Sequence, residues 1–231
     1  MPPVSSCLLG FRPRKGRWAT RRCTTSTAKA AGGRSVLRID TLLQGLVLLC
    51  LSLPAWALQS IDLQQLVSDA RNQVGVTLSY DPAYRQLDYP GGDVPLATGV
   101  CTDVVIRALR EQGLDLQKSV HEDMHAHFAL YPQNWGLKRT DRNIDHRRVP
   151  NLMTWFKRQG MALKVSDKPE DYRAGDIVSW DLGRGLTHIG IVSDRQSPAG
   201  IPLVLHNIGA GTQEEDILFA YRITGRYRFA D

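Results

Sequence analysis

Three residues of this 231-residue chain have the types and placement for acyl-transfer chemistry: Cys101, His188 and His206. Cys101 stands where an apolar, helix-like pattern begins, directly after a Gly turn, in the run TGVCTDVVIRAL at 98–109. A thiol in the first turn of a helix meets unsatisfied backbone N–H groups and the positive end of the helix dipole. Both favour thiolate over thiol, so the expectation is an activated nucleophile. The plain alternative is a buried structural cysteine packing as a small hydrophobe.

The two histidines fall on strand-like runs. In THIGIV at 187–192 the period of two puts Ile189 and Ile191 on one face and His188 and Gly190 on the other, leaving room beside the imidazole. In LVLHN at 203–207, His206 shares a face with Val204. A hairpin through 194–201 whose paired numbers sum to 394 sets His188 opposite His206, and any even sum keeps both on one face. The chemistry wants this arrangement. A thiolate attacks a carbonyl, one imidazole takes and returns the proton, and a third polar group fixes the tautomer of that imidazole. Backbone N–H groups at the start of the cysteine helix receive the developing oxyanion.

These residues belong to a mature chain that the leader disguises. Residues 41–57 (TLLQGLVLLCLSLPAWA) are a short apolar run ending in Ala55-Trp56-Ala57, which reads as a signal-peptide core and cleavage site rather than a membrane span. The expected organisation is a basic leader plus signal peptide over 1–57, with 1–35 open to being a misassigned start, followed by one domain over 58–231. The formal charge of +6 comes from the leader. Nine of the 29 basic residues and one of the 23 acidic residues lie in 1–57, leaving 20 basic against 22 acidic and a net charge of about −2. Bulk basicity therefore gives no case for nucleic acid. Cys7, Cys23 and Cys50 also lie in the leader, so Cys101 is the single thiol of the mature part. Exported proteins usually pair their cysteines, and a lone one needs a reason, for which catalysis is the leading candidate.

The elements that must position the site follow in order. An amphipathic helix is expected over 60–74 with Ser60 as N-cap, a short extended piece over 76–80, and a turn-rich loop over 89–95 that walls the cysteine. A second helix is expected over 119–130, with Ser119 and Glu122 spaced as a capping box. A polar, mostly basic loop at 138–148 either is solvated surface or receives substrate carboxylates through Arg forks. Pro150 opens a helix over 151–159, closed by Gly160. Runs at 176–180, 187–193, 203–207 and 221–229 read as strands. Helices first and strands after give an α+β plan, with the nucleophile helix packed on a C-terminal antiparallel sheet.

In combination, GVCTDVV at 99–105, RAGDIVSW at 173–180, THIGIV at 187–192 and VLHN at 204–207 resemble the NlpC-type cell-wall cysteine peptidases of the papain-like superfamily. The stretch from about Ala70 to Phe229 more closely resembles the bacterial domain of unknown function 1287 family. The resemblance implies a papain-like fold, Cys101 as nucleophile, His188 as general base and acid, and His206 as the orienting residue. It implies amide bonds of peptidoglycan stem peptides as substrate, no cofactor, and a periplasmic or extracellular site of action. Tyr89 matches a site-lining tyrosine of such enzymes, and Tyr89, Asp103, Arg147 and Arg148 are the substrate-binding candidates. The sequence departs from the NlpC pattern in carrying Val100 before the cysteine and Thr102-Asp103 after it.

Two rival readings come from the same residues. His121-Glu122-x-x-His125 satisfies the H-E-x-x-H pattern, which on a helix brings two imidazoles to one face for zinc, with Glu122 as base. Asp123 is charged where that helix is normally apolar, and position 128 is Phe where the longer pattern needs a ligand. The other rival is a periplasmic module that binds cell-wall peptides without turnover.

Overall fold

The computed structural model describes residues 60–230; the expected leader and signal peptide lie outside the described residues. Among the described residues four α-helices precede all six strands of an antiparallel sheet, so the mixed α+β plan holds. Helix α1 (Leu63–Arg71) starts at Asp62 rather than Ser60, because the Asp62 carboxylate accepts from the amides of Gln64 and Gln65 at 2.9 and 3.0 Å. Strand β1 (Ser79–Tyr80) pairs in parallel with β2 (Thr98–Gly99), which runs directly into α2 (Cys101–Glu111). Helix α3 (Leu116–Ala126) is capped by Asp115, whose carboxylate accepts from the Gln117 amide at 2.9 Å. Ser119 therefore lies inside α3, and the expected capping box with Glu122 does not form. Helix α4 (Val149–Arg158) carries Pro150 in its first turn, where the missing N–H costs nothing. Among the described residues, no helix is long and apolar enough to cross a membrane.

The sheet comprises β3 (Ala162–Leu163), β4 (Ile177–Asp181), β5 (Thr187–Gln196), β6 (Pro202–His206), β7 (Gln213–Glu215) and β8 (Arg222–Tyr227), in the spatial order β3-β8-β4-β5-β6-β7. Alternation divides its apolar residues between two cores. Ile177, Ile189, Ile191, Leu205 and Tyr227 pack with α1, α2 and α4 on one face. Val178, Trp180, Val192 and Val204 pack with Tyr172 and Leu218 on the other. The fully buried Asp176 ties β4 to β8, accepting from Arg226 Nε at 3.0 Å and from Arg228 Nη2 at 2.8 Å. Burying that carboxylate is tolerable because two guanidinium groups meet it.

The β5–β6 register differs from the expected one by two residues. Ile191 pairs with Leu205 and Val192 with Val204. Continued one step, that register places His206 beside Gly190 and leaves His188 one diagonal step away. The even offset keeps both imidazoles on the Val192/Val204 face, and a diagonal neighbour is still within reach of a ring.

Candidate active site

The cysteine helix begins where β2 delivers the chain to it. Val100 holds the extended N-cap conformation, and its amide donates to Asp103 Oδ2 at 2.7 Å. Asp103 also accepts from Arg147, Nε to Oδ1 at 3.0 Å and Nη2 to Oδ2 at 2.9 Å, in a pair almost wholly out of solvent. The same guanidinium donates to the carbonyls of Asp81 and Ala83 at 3.3 and 3.4 Å. Two of the substrate-binding candidates are thus paired with each other. Asp103 and Arg147 are engaged with each other and with backbone, fastening the first turn of α2 to the 81–83 segment. Arg148 stacks over Trp135 at 4.4 Å, with Asp145 3.6 Å away.

The sulfur lies at a gap in the sheet. Val192 directs both backbone polar groups toward the β4 side: its amide bonds the Asp176 carbonyl at 2.8 Å, and its carbonyl accepts from Gly175 at 2.9 Å. By alternation the amides of Ile189 and Ile191 point toward β6. Strand β6 leaves the ladder after His206, where Asn207 Nδ2 turns to the carbonyls of Gly99 and Ser79 at 3.1 and 3.3 Å. The Ile189 amide thus loses its strand partner, and together with the amides of Thr102 and of Cys101 itself it acts to lower the Cys101 pKa. Cys101 belongs to the helix-side core with Ile189 and Ile191, while alternation turns His188 to the other face of β5.

Two features of the structure bear on this thiol. Cys101 is only 4% exposed, and burial pushes its pKa up to about 12 despite those three amides. The helix start lowers the value by less than desolvation raises it, and the nearby Asp103 charge raises it further. The resting group is a neutral thiol. The tyrosine that feels this thiol is Tyr80, whose hydroxyl is pushed up to about 12 by burial, with Cys101 and Asp103 adding to the shift. Tyr89 packs edge-on against His121 at 5.4 Å with Arg142 5.6 Å from its ring. The loop that carries it is tied to α3 instead of walling Cys101: Gly91 donates to Asp115 and Gly92 to Gln117.

His188 and His206 meet edge to face, with Nε2 of His188 3.1 Å from Nδ1 of His206. Trp180 packs over His188 at 5.7 Å. Burial, with His206 adding, pushes His188 down to about 3, and burial lowers His206 against the opposing pull of Glu215. Both rings are neutral near neutral pH. Beyond His206 stands Glu215, its Oε2 3.0 Å from His206 Nε2, at ion-pair distance but off the line of a well-directed hydrogen bond. Gly190 makes the His206 position accessible: a Cβ there would come within 2.7 Å of Val204 Cγ1 and 3.1 Å of His206 Cβ.

Tyr80 and Glu215 are the residues that sequence reasoning missed. The extended piece at 76–80 was legible, but its parallel pairing with the two residues before Val100 was not. QEE at 213–215 has no apolar alternation to mark a strand. The zinc candidates lie elsewhere, on α3. His121 and His125 stack with ring centroids 6.3 Å apart, Glu122 is 3.8 Å from Lys118, and among the described residues no group of three metal-ligating side chains forms.

Comparison with known proteins gives one family and a close relative. The family model described as "Domain of unknown function (DUF1287)" matches residues 67–229. "Uncharacterized protein YijF" of Escherichia coli (strain K12) is 64% identical over 164 residues, covering 71% of this chain and 80% of the relative.

Proposed function

The chain belongs to the DUF1287 family, and from that premise we propose that it is an exported cysteine hydrolase of amide bonds, acting on peptidoglycan stem peptides through a papain-like, NlpC-type site. The observation that carries the reading is the chain of contacts His188 Nε2 to His206 Nδ1 to Glu215, which crosses β5, β6 and β7 on a sheet whose other face packs Cys101 against Ile189 and Ile191. With Nε2 of His188 turned to His206, Nδ1 is the nitrogen left to serve the thiol.

The neutral thiol and neutral imidazole set the order of events. The proton passes from Sγ to His188 as sulfur attacks the carbonyl, instead of residing on a preformed imidazolium. The Cys101 amide and the Tyr80 hydroxyl are donors for the oxyanion that forms. His188 then protonates the leaving amine, and water, activated by the same ring, releases the acyl group from sulfur. Export to the periplasm or outside the cell, after cleavage near Ala57, belongs to this reading.

One observation favours a second reading, a module that binds cell-wall peptides without turnover: the thiol is sealed among apolar side chains and strongly protonated. Incubation of purified peptidoglycan with the wild-type protein and with Cys101→Ala, followed by mass analysis of released fragments, separates the two. New peptide fragments with the wild type alone are the expected outcome. Binding by both proteins without fragments from either would establish the second reading.

A further inference from the structure

We propose that Glu215 is a positioning residue that fixes the tautomer of His206 and, through it, places the proton of His188 on Nε2; its kinetic consequence rests on the hydrolase reading above, its structural consequence does not. Three side chains cross three neighbouring strands diagonally on one face of the sheet. The β6–β7 register sets Val204 opposite Glu215 and His206 opposite Gln213, so Glu215 is one diagonal step from His206, just as His206 is from His188. The contacts along this line are 3.1 and 3.0 Å.

Two neutral imidazoles joined nitrogen to nitrogen share one proton between them, which leaves two arrangements. In the first, His188 Nε2–H donates to His206 Nδ1, and His206 carries its own proton on Nε2, facing the Glu215 carboxylate. In the second, His206 Nδ1–H donates to His188 Nε2. A bare His206 Nε2 lone pair then faces the carboxylate, and the His188 proton sits on Nδ1. The carboxylate opposes the second arrangement, because a lone pair at 3.0 Å from an anion has nothing to offer it. Only the first leaves His188 Nδ1 able to accept a proton, and when that happens the positive charge is delocalised toward Glu215.

The edge strand is held firmly enough for this task. Glu214, the neighbour pointing to the opposite face, accepts from Arg71 Nη2 at 2.8 Å and from Arg195 Nη1 at 3.0 Å, and Ser193 donates to it as well. Those contacts anchor β7 to α1 and β5, which explains how a half-exposed Glu215 keeps a defined place beside a fully buried ring.

The test is the ¹⁵N–¹H spectrum of histidine-labelled protein, recorded for wild type, Glu215→Ala and Glu215→Gln, with backbone spectra confirming that each is folded. In the wild type both His188 and His206 should be protonated at Nε2. Glu215→Ala should shift His206 toward the Nδ1–H form, and Glu215→Gln should keep it at Nε2–H because the amide oxygen still presents a partial negative charge to that nitrogen. A wild-type His206 protonated at Nδ1, or a folded Glu215→Ala with unchanged imidazole signals, would overturn the inference. On peptidoglycan fragments, Glu215→Ala should lower kcat by about tenfold to hundredfold with KM unchanged, and Glu215→Gln should recover most of it. A wild-type protein that releases no fragments removes the hydrolase reading, and the imidazole spectra still decide the role of Glu215.

Discussion

At the open end of the sheet, His188 and His206 are buried, meet nitrogen to nitrogen at 3.1 Å and lead to a carboxylate. On α3, His121 and His125 stack 6.3 Å apart, His125 lies in solvent, and among the described residues no third ligand joins them. Sequence spacing favours the second pair, since H-E-x-x-H is a named pattern and the first pair is 18 residues apart. The comparison teaches that spacing along one helix brings rings to the same face without giving them anything to act with. Strand pairing supplied the buried pair with a defined contact and a low-dielectric setting.

The largest effect that would break this contrast is kinetic. His188→Ala should reduce release of peptidoglycan fragments by roughly 10²–10⁴-fold while the protein stays folded. A variant with both His121→Ala and His125→Ala should retain wild-type rates, and EDTA should leave them intact. Activity lost to EDTA and restored by zinc would reverse the assignment of the two pairs.

Next in size is the support under the nucleophile. Arg147→Met strands the buried Asp103 carboxylate with only the Val100 amide as a near donor, and it should destabilise the protein by about 3–5 kcal/mol in urea titration. A change below about 1 kcal/mol, the range of exposed pairs, would mean that the ion pair is solvated and does not hold the start of α2.

Gly190→Ala probes the packing of the buried histidines directly. The added methyl would meet Val204 Cγ1 and the Leu205 carbonyl at 2.7 and 2.9 Å, both within the sheet. The expected cost is about 1–3 kcal/mol, with displaced His206 resonances. The equivalent exposed substitution, Gly209→Ala, has no such neighbours.

The smallest effect is spread over pH. His188 and His146 are each held down to about 3 by burial, so the unfolded chain binds protons there that the folded chain refuses. Their contribution to stability is present above the ordinary histidine range and is lost as pH falls below about 6.5. Each should give a slope of about 1.4 kcal/mol per pH unit. Asp145, pushed up to about 6 by burial, acts in the opposite sense and offsets part of the loss. Denaturant midpoints measured between neutral and mildly acidic pH should fall accordingly, and a flat profile would show that the buried rings are hydrated.

Much of this arrangement was legible in the residues. The α+β order, the cysteine at a helix start, the cofacial histidines and the need for Gly190 all follow from local periodicity and from the absence of a side chain at one position. Helix starts were less legible, because Ser60 and Ser119 compete with Asp62 and Asp115 as caps, and the carboxylates win by reaching two amides or by lying beside the first turn.

The sequence by itself determined the element types, the single thiol of residues 58–231 and the side of the strand on which each histidine projects, because these depend on residue type and on periods of two and 3.6. Only the tertiary structure decided that Arg147 serves Asp103, that Tyr89 packs on His121 while Tyr80 feels the thiol, and that Glu215 stands beside His206. It alone decided that burial outweighs the helix start in setting the thiol's pKa. Those outcomes depend on register, on long-range pairing and on how much water each group loses, and desolvation is a property of the whole packed fold rather than of any stretch of chain.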